Sequence, residues 1–481
     1  MSGPLPKHGI EGGVLLAGNT RFVAILTAVA ALIMLAATSA HGFAGDLLMD
    51  IQNGRWILAH GVIPLHDFTT QAMYGRPWSD SEWLYCVYAA WLYSHFGRMG
   101  VFWGLLPLTA MIALFISLFA VRAGRTWGVL LAILAASAMT IVMNPRPQLV
   151  SYALFAFGLW AVMQYRNAQS WPIWVFVATV LLWANAHASA VLGPALLLSE
   201  LLLGASERRR GLVVPTLVAI VFVFAHPGGL HSGSSFLAQI FSPGILSTIQ
   251  EWMSPNFQTY TGLLILPWII LSLSFLVPAA YRARDWAGLS WALLGPLAAL
   301  FAVRFAPYMM LGSLALAGAY WPERLRRMDA PKMATVAASA FALFLTASTA
   351  IAAAEGTLFP VREPVAAIAY LKAHHAKDVL AFYPFGDALE FYDVRPFVDG
   401  KAELWTGRPW WPAYIAAQTE QGGIARFAAT WDPRVRWILW PVNGYGGSQP
   451  LRATGWKLVY VNHHGSGGID AGVWERAATV T

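Results

Sequence analysis

Long apolar runs separated by short polar breaks recur along the chain from Arg21 to about Ala354. A run of about 20 apolar residues crosses the ~30 Å hydrocarbon core of a bilayer as one helix. The pattern predicts crossings at 22–42, 99–121, 126–143, 147–165, 171–187, 188–204, 211–226, 260–281, 286–303, 304–321 and 333–353. The run 83–96 is shorter, and length alone leaves it ambiguous. The first run is longer than the ~7–15 residues of a signal-peptide core, and many spans follow it, so it reads as an uncleaved span. After Gly356 the pattern changes. Helices are predicted at 363–376, 411–421 and 423–430, and short strands at 378–383, 396–399, 435–441 and 456–462. Strands alternating with helices predict a small α/β domain. The chain thus divides into a helical membrane domain, 1–355, and a soluble α/β domain, 356–481.

Composition agrees with that division. Of 481 residues, 57% are hydrophobic and 11% charged, against about 25% charged in ordinary globular chains. The net charge of +7 does not point to nucleic acid, because its distribution follows the membrane. If 83–96 does not cross, fourteen Lys and Arg outside the tail fall on one side, including Arg122, Arg166, the Arg208-Arg209-Arg210 run and Arg326, and five on the other. Basic residues concentrate on the cytoplasmic side. The expected topology is therefore about eleven spans, with the N-terminus cytoplasmic and the α/β domain on the outer face. The single cysteine, Cys86, excludes an internal disulfide and says nothing of redox compartment.

This topology collects the polar residues of the membrane half on one face. The loop 41–84 holds Asp46, Asp50, Asp67, Asp80 and Glu82. Asp46 and Asp50 stand four apart, so on a helix both carboxylates point the same way, with Asn53 beside them. Leu47, Leu48, Ile51 and Leu58 fall near the other face, which describes a short amphipathic helix suited to a membrane surface. The same side receives Arg146 in Asn144-Pro-Arg-Pro, Asn185 and His187, Arg304, and the long segment 226–259 with His226, His231, Glu251 and Trp252. That segment is expected to form a re-entrant or interfacial helix. Polar groups at helix ends are costly unless they line a wet cavity or pair, so their collection predicts one cavity. Each has a plainer reading alone: Asp67 a turn residue, Asn144-Pro-Arg-Pro a helix break, His187 a hydrogen-bonded core histidine, Arg304 a snorkelling side chain. The pairs His374-His375 and His463-His464 read as surface residues. No metal-ligand spacing and no Gly-rich phosphate loop appears.

The motifs Asp46…Gly54-Arg-Trp-Ile-Leu-Ala-His-Gly-Val-Ile-Pro, Asp67-Phe, Gly75-Arg-Pro-Trp and Glu82-Trp-Leu resemble the first outer loop of GT-C membrane glycosyltransferases. The likeness is nearest to a widespread bacterial multi-pass group in or beside that superfamily. It extends through Arg146-Pro-Gln, Trp183-Ala-Asn-Ala-His187, His226-Pro-Gly-Gly-Leu, Glu251-Trp and Arg304-Phe-Ala-Pro to Phe397-Val-Asp-Gly-Lys-Ala-Glu-Leu in the tail. The resemblance implies transfer of a sugar from a polyprenyl-phosphate carrier to an envelope acceptor on the outer face of the bacterial inner membrane. It assigns Asp46 as the loop acid that acts as base or lies near a metal; Asp50, its partner on the helix, is the supporting acid or the second candidate. The loop departs from the family in lacking an adjacent acid pair, and no acid follows Arg146. A divalent cation is thus an open question. A carboxylate to take the acceptor's proton and cations for the departing phosphate would complete the chemistry. Arg146 and Arg304 suit the phosphate by bidentate pairing, with His187 and His226 as donors. Asn185, Asp67, Glu82, Glu251 and Trp252 are further cavity candidates.

Two other classes compete. A transporter would show internal repeats with polar groups at mid-membrane; no repeat is visible, and the polar groups gather at one face. A non-catalytic envelope scaffold or lipid-binding protein would keep the fold without needing Asp46.

Overall fold

The computed structural model describes residues 14–229, 249–327, 359–405, 407–442, 451, 455–463 and 470–476, with three single positions between 347 and 354. The expected span 333–353, most of the expected re-entrant segment with His231, the Gly444 turn and His464 lie outside them. The chain forms two compact units. One comprises the residues up to Ser39, Leu105–Ala225 and Met253–Leu358; the other comprises Ala40–Gly104, His226–Trp252 and Phe359–Thr481.

The first unit is a bundle of apolar helices. Its centre is the helix Ala306–Tyr320, buried along most of its length. It packs against helices Leu106–Ala120, Arg125–Met139, Gln148–Arg166, Tyr260–Leu271 and Trp286–Phe301. Helices in an apolar medium associate through close packing, which small residues permit. Gly318 shows the requirement, since a Cβ there would lie 2.6 Å from the Phe119 carbonyl oxygen. Among the described residues, four apolar helical stretches are long enough to cross a membrane: Thr20–His41, Trp83–Ala123, Arg125–Val142 and Tyr260–Arg282. Trp171–Ala186, Ala188–Leu203 and Trp286–Phe301 are apolar and shorter. The ambiguous run 83–96 thus lies in a stretch of spanning length, though the backbone breaks its helix at Gly97 (φ 63°, ψ −163°).

The second unit joins the acid-rich loop to the tail. Its sheet has the order β2-β1-β3-β5-β4, with β1 Asp378–Ala381, β2 Arg395–Pro396, β3 Trp437–Pro441, β4 Trp456–Asn462 and β5 Ala471–Arg476. The pairs β1–β2 and β1–β3 are parallel, while β5 runs antiparallel to β3 and β4. Helices Val365–Ala373, Trp411–Ala417 and Gly423–Trp431 accompany it; the last ends one residue beyond the expected 423–430, while those expected at 363–376 and 411–421 stop three and four residues early. Aromatic rings fill the core: Trp405 and Trp411 lie 3.9 Å apart between centroids, and Tyr414 donates to the Ala381 carbonyl at 2.6 Å.

Loop and tail are stitched by backbone pairing. Phe43 bridges Val361 in parallel. Gln71 and Ala72 donate to the Pro396 and Phe397 carbonyls at 2.8 and 3.1 Å. The helix Asp46–His60 packs along Trp83–Gly104, so closely at Gly54 that a Cβ would fall 1.9 Å from the Cys86 carbonyl oxygen.

Candidate functional site

The helix expected around Asp46 and Asp50 forms, and Asp46 is its first residue. A carboxylate in the first turn is favoured by the free amides and positive dipole end there. Asp46 is half-buried. Asp50, one turn on, is fully buried and accepts from the Cys86 thiol at 3.7 Å, because the apolar face of this helix packs inward and carries Asp50 and Asn53 with it. Leu47, Leu48 and Ile51 are buried as expected, whereas Leu58 is exposed. The start of the helix is held from the tail: Gly45 donates its amide to Glu363 Oε1 at 2.9 Å. Burial pushes Glu363 up to about 7.

Asp67 takes a structural place. Its carboxylate accepts from the Thr70 amide and hydroxyl at 3.1 and 2.6 Å, closing a turn, and lies 3.7 Å from Lys401 Nζ. Lys401 is completely buried among Asp399, Glu390 (3.3 Å), Asp67 and the Thr69 hydroxyl (2.7 Å), with its ammonium 5.2 Å from the Trp78 ring centre. Burial alone would lower the ammonium's pKa, but the carboxylates, Asp399 foremost, hold it well above the usual lysine range. Burial also opposes the charge on Asp399, yet Lys401 keeps that group below the usual carboxylate range. Glu390 goes the other way: burial raises it, against the pull of Lys401. Asp387, whose Oδ1 accepts from the Gly400 amide at 2.6 Å, is raised by burial and then by repulsion from Asp46. Asp46 therefore has as a neighbour a buried carboxyl held well above the usual carboxylate range. The sequence names Asp399 and Lys401 only as part of a motif, and nothing in their spacing shows that they close on Asp67 or that Asp387 faces Asp46.

Glu82 follows the Asp80 turn, donating its amide to Asp80 Oδ1 at 2.8 Å. His226 is buried, accepts from the Gly228 amide at 2.9 Å and reaches the Asp80 backbone. Glu251 and the buried Trp252 lie in a single 3-10 turn, Gln250–Trp252. Among the described residues no three His, Cys, Asp or Glu stand together as ligands for one ion.

In the first unit, His187 organises a second cluster. The helix Trp171–Ala186 ends where His187 turns extended (φ −166°, ψ 138°). Its buried ring meets the Ser151 and Ser189 hydroxyls at Nδ1, both at 2.7 Å, and Arg304 Nη2 at Nε2, 3.4 Å away. Trp183 Nε1 and Ser189 Oγ each lie 2.8 Å from Ser151 Oγ, and the Tyr308 hydroxyl is 3.0 Å from Ser189. A tautomer protonated at Nδ1 would donate to a hydroxyl and leave Nε2 to accept from Arg304. Asn185 instead braces two helices, donating to the Leu181 and Ala225 carbonyls at 2.9 and 3.0 Å. Arg146 is half-buried in a tight turn that starts the helix Gln148–Arg166, where the Leu149 amide donates to its carbonyl at 3.1 Å. Of the expected residues, His187 and Arg304 come together here. Ser151, Ser189 and Tyr308, hydroxyls inside apolar runs, gave no sequence signal.

An apolar helical bundle with a C-terminal sheet domain is a fold this chain shares with solved oligosaccharyltransferases. Solved structures it is similar to include oligosaccharyltransferases of Archaeoglobus fulgidus. The structure of the archaeal oligosaccharyltransferase AglB in complex with an inhibitory peptide and a dolichol-phosphate aligns with a TM-score of 0.55 at 12% identity, covering 97% of this chain and 75% of that one. The enzyme tethered to an acceptor peptide gives 0.53 at 11% identity, over 95% and 74% of the two chains. Its complex with Zn and sulfate gives 0.52 at 11%, over 94% and 73%. No protein-family model and no curated protein matches the sequence.

Proposed function

We propose that this chain is an inverting membrane glycosyltransferase that moves a sugar from a polyprenyl-phosphate carrier to an envelope glycan, lipid or protein. The observation carrying this reading is the fold: it extends over 97% of the chain and belongs also to an enzyme captured with a lipid phosphate and a peptide. In this reading Asp46 is the base. It takes the proton from the acceptor nucleophile as that atom bonds to the anomeric carbon, and the carbon–oxygen bond to the carrier phosphate breaks. Positioned general-base help contributes roughly 10²–10⁴-fold. The electron pair leaves on the phosphate oxygen, stabilised by Arg304 and Arg146, with His187 and His226 as further donors. Asp50, buried behind Asp46, supports the helix.

The basic-residue asymmetry supports about eleven spans, a cytoplasmic N-terminus and a tail domain outside the inner membrane, which puts Asp46 and Arg304 in the same compartment. Reporter fusions after Arg210 and at Thr481 test this: a cytoplasmic signal at Thr481 would overturn the topology and the site with it.

Asp46→Asn keeps size and most hydrogen bonding but removes the base. Protein levels should be normal while transfer falls by about 10²-fold or more, seen as loss of a glycan or accumulation of polyprenyl-linked sugar. Arg304→Lys should lower transfer too, since a point charge does not replace a bidentate fork. Full transfer by Asp46→Asn would leave the non-catalytic, lipid-binding reading.

A further inference from the structure

The two central helices of the bundle carry polar groups at both ends. Ser151 and Arg304 mark one end. Arg166, Tyr320 and Arg326 mark the other, about 22 Å away at 1.5 Å per residue. At this second end Arg166 is fully matched. Its guanidinium meets Glu200 and Asp285, donating to Asp285 Oδ2 at 2.6 Å, and the Tyr320 hydroxyl also donates to Asp285.

Arg122 is not matched in this way. Its aliphatic stem lies on Gly318, and its acceptor among the described residues is the Met163 sulfur at 3.4 Å, a weak one. Arg326 and Arg166 stand close enough to repel it. Arg326 donates through Nη2 to the Gly318 and Ala319 carbonyls at 3.1 and 3.2 Å, while its Nε is buried with no acceptor among the described residues. Helix-end carbonyls therefore account for half of Arg326 and for none of Arg122. Burying a guanidinium without an anion is costly.

An apolar cavity adjoins these two arginines. It is a partly open slot with about 440 Å³ of empty space counting its mouth, lined by Leu159, Val162, Leu196, Trp291 and Leu316, with Met163, Ala319 and the Arg166–Glu200 pair also on its wall. Met163 and Ala319 are the residues that Arg122 and Arg326 touch, so the cavity and the cations share a wall. An apolar slot beside unmatched guanidinium groups, in a bundle surrounded by lipid, fits one kind of ligand. We propose that the cavity and the Arg122–Arg326 pair form a binding site for an anionic phospholipid, with an acyl chain in the cavity and the phosphate on the guanidinium groups. Basic pockets between membrane helices take anionic headgroups on the same principle. This site does not depend on the transferase reading.

The test uses the full chain, delipidated in detergent and titrated by native mass spectrometry. Dioleoylphosphatidylglycerol should bind about five- to tenfold more tightly than dioleoylphosphatidylcholine, as expected for one or two arginines at a headgroup. Arg122→Gln should remove most of that preference and leave phosphatidylcholine binding unchanged. Ala315→Phe, which fills the cavity, should weaken both lipids. If Arg122→Gln does not fold, Arg122→Lys should keep part of the preference, and the wild-type comparison needs no variant. Equal binding of the two lipids, an unchanged preference in Arg122→Gln, or tighter binding of undecaprenyl phosphate than of phosphatidylglycerol would each overturn the proposal.

Discussion

The Lys401 cluster of the sheet-bearing unit and the His187 cluster of the helical bundle are both buried polar knots, and the two are built differently. The knot in the sheet-bearing unit is ionic: one ammonium, Lys401, serves Asp67, Glu390 and Asp399. The knot in the helical bundle is mostly neutral: Ser151, Ser189, Tyr308 and Trp183 surround His187, and Arg304 touches it at one nitrogen. Both join distant parts of the chain. An ionic knot tolerates few alternatives, since each buried charge needs its counter-charge. A neutral one can exchange donors and acceptors as hydroxyls rotate and an imidazole changes tautomer. The first suits a fixed union of loop and tail; the second suits a place where a phosphate or proton has to be received.

The sharpest way to break the comparison is to remove the one cation. Lys401→Met leaves three carboxylates without their partner, and breaking a buried pair from one side costs about 3–5 kcal/mol. The expected outcome is early thermal unfolding of the sheet-bearing unit, followed by tryptophan fluorescence, with loop 41–84 becoming accessible to protease. A melting temperature near that of the wild type would mean that the knot does not hold loop to tail.

A smaller effect separates charge from hydrogen bonding at Glu363. Its folded pKa is near 7 through burial, above the unfolded value of about 4.5. The folded state thus binds the extra proton between these values. Its contribution to stability is complete below about pH 4.5 and is lost as pH rises through 7, by no more than about 3 kcal/mol. Glu363→Gln should keep the acceptor for the Gly45 amide and flatten that slope, measured as denaturant midpoints from pH 4.5 to 7.5. An unaltered slope would assign the pH dependence to other acids such as Asp387 and Asp432, which burial also raises.

Much of this was readable from local pattern. The helix headed by Asp46 follows from i, i+4 spacing, and four of five strands follow from short apolar runs. The fifth strand, Ala471–Arg476, begins Ala-Gly and ends in charged residues, so no apolar run marks it. The union of loop and tail was not readable, because it rests on pairs more than 300 residues apart, such as Thr69 with Asp399 and Gly45 with Glu363. Hydropathy also misjudged Asp50, whose charge implied a solvated face although packing against Cys86 buries it. For Asp67 the plainer turn reading agrees with its place.

The finest distinction lies inside the neutral knot, between its hub and its rim. Ser151 is the hub, meeting Trp183, Ser189 and His187. Ser151→Ala strands the buried Trp183 donor and should cost about 1–2 kcal/mol. Tyr308 stands at the rim, with its hydroxyl on Ser189. Tyr308→Phe keeps the ring that packs edge-on against Phe155 at 5.1 Å and leaves Ser189 still bonded to Ser151 and His187. Its cost should be about 0.5–1 kcal/mol, that of one net hydrogen bond. If the knot exists to aim His187 at a lipid phosphate, the two variants should differ more in transfer than in stability. Ser151→Ala removes one of the two hydroxyls at the imidazole Nδ1 and leaves Ser189, whereas Tyr308→Phe leaves both in place. Parallel losses of stability and transfer in the two variants would make the knot a packing device only, and His187 a core histidine.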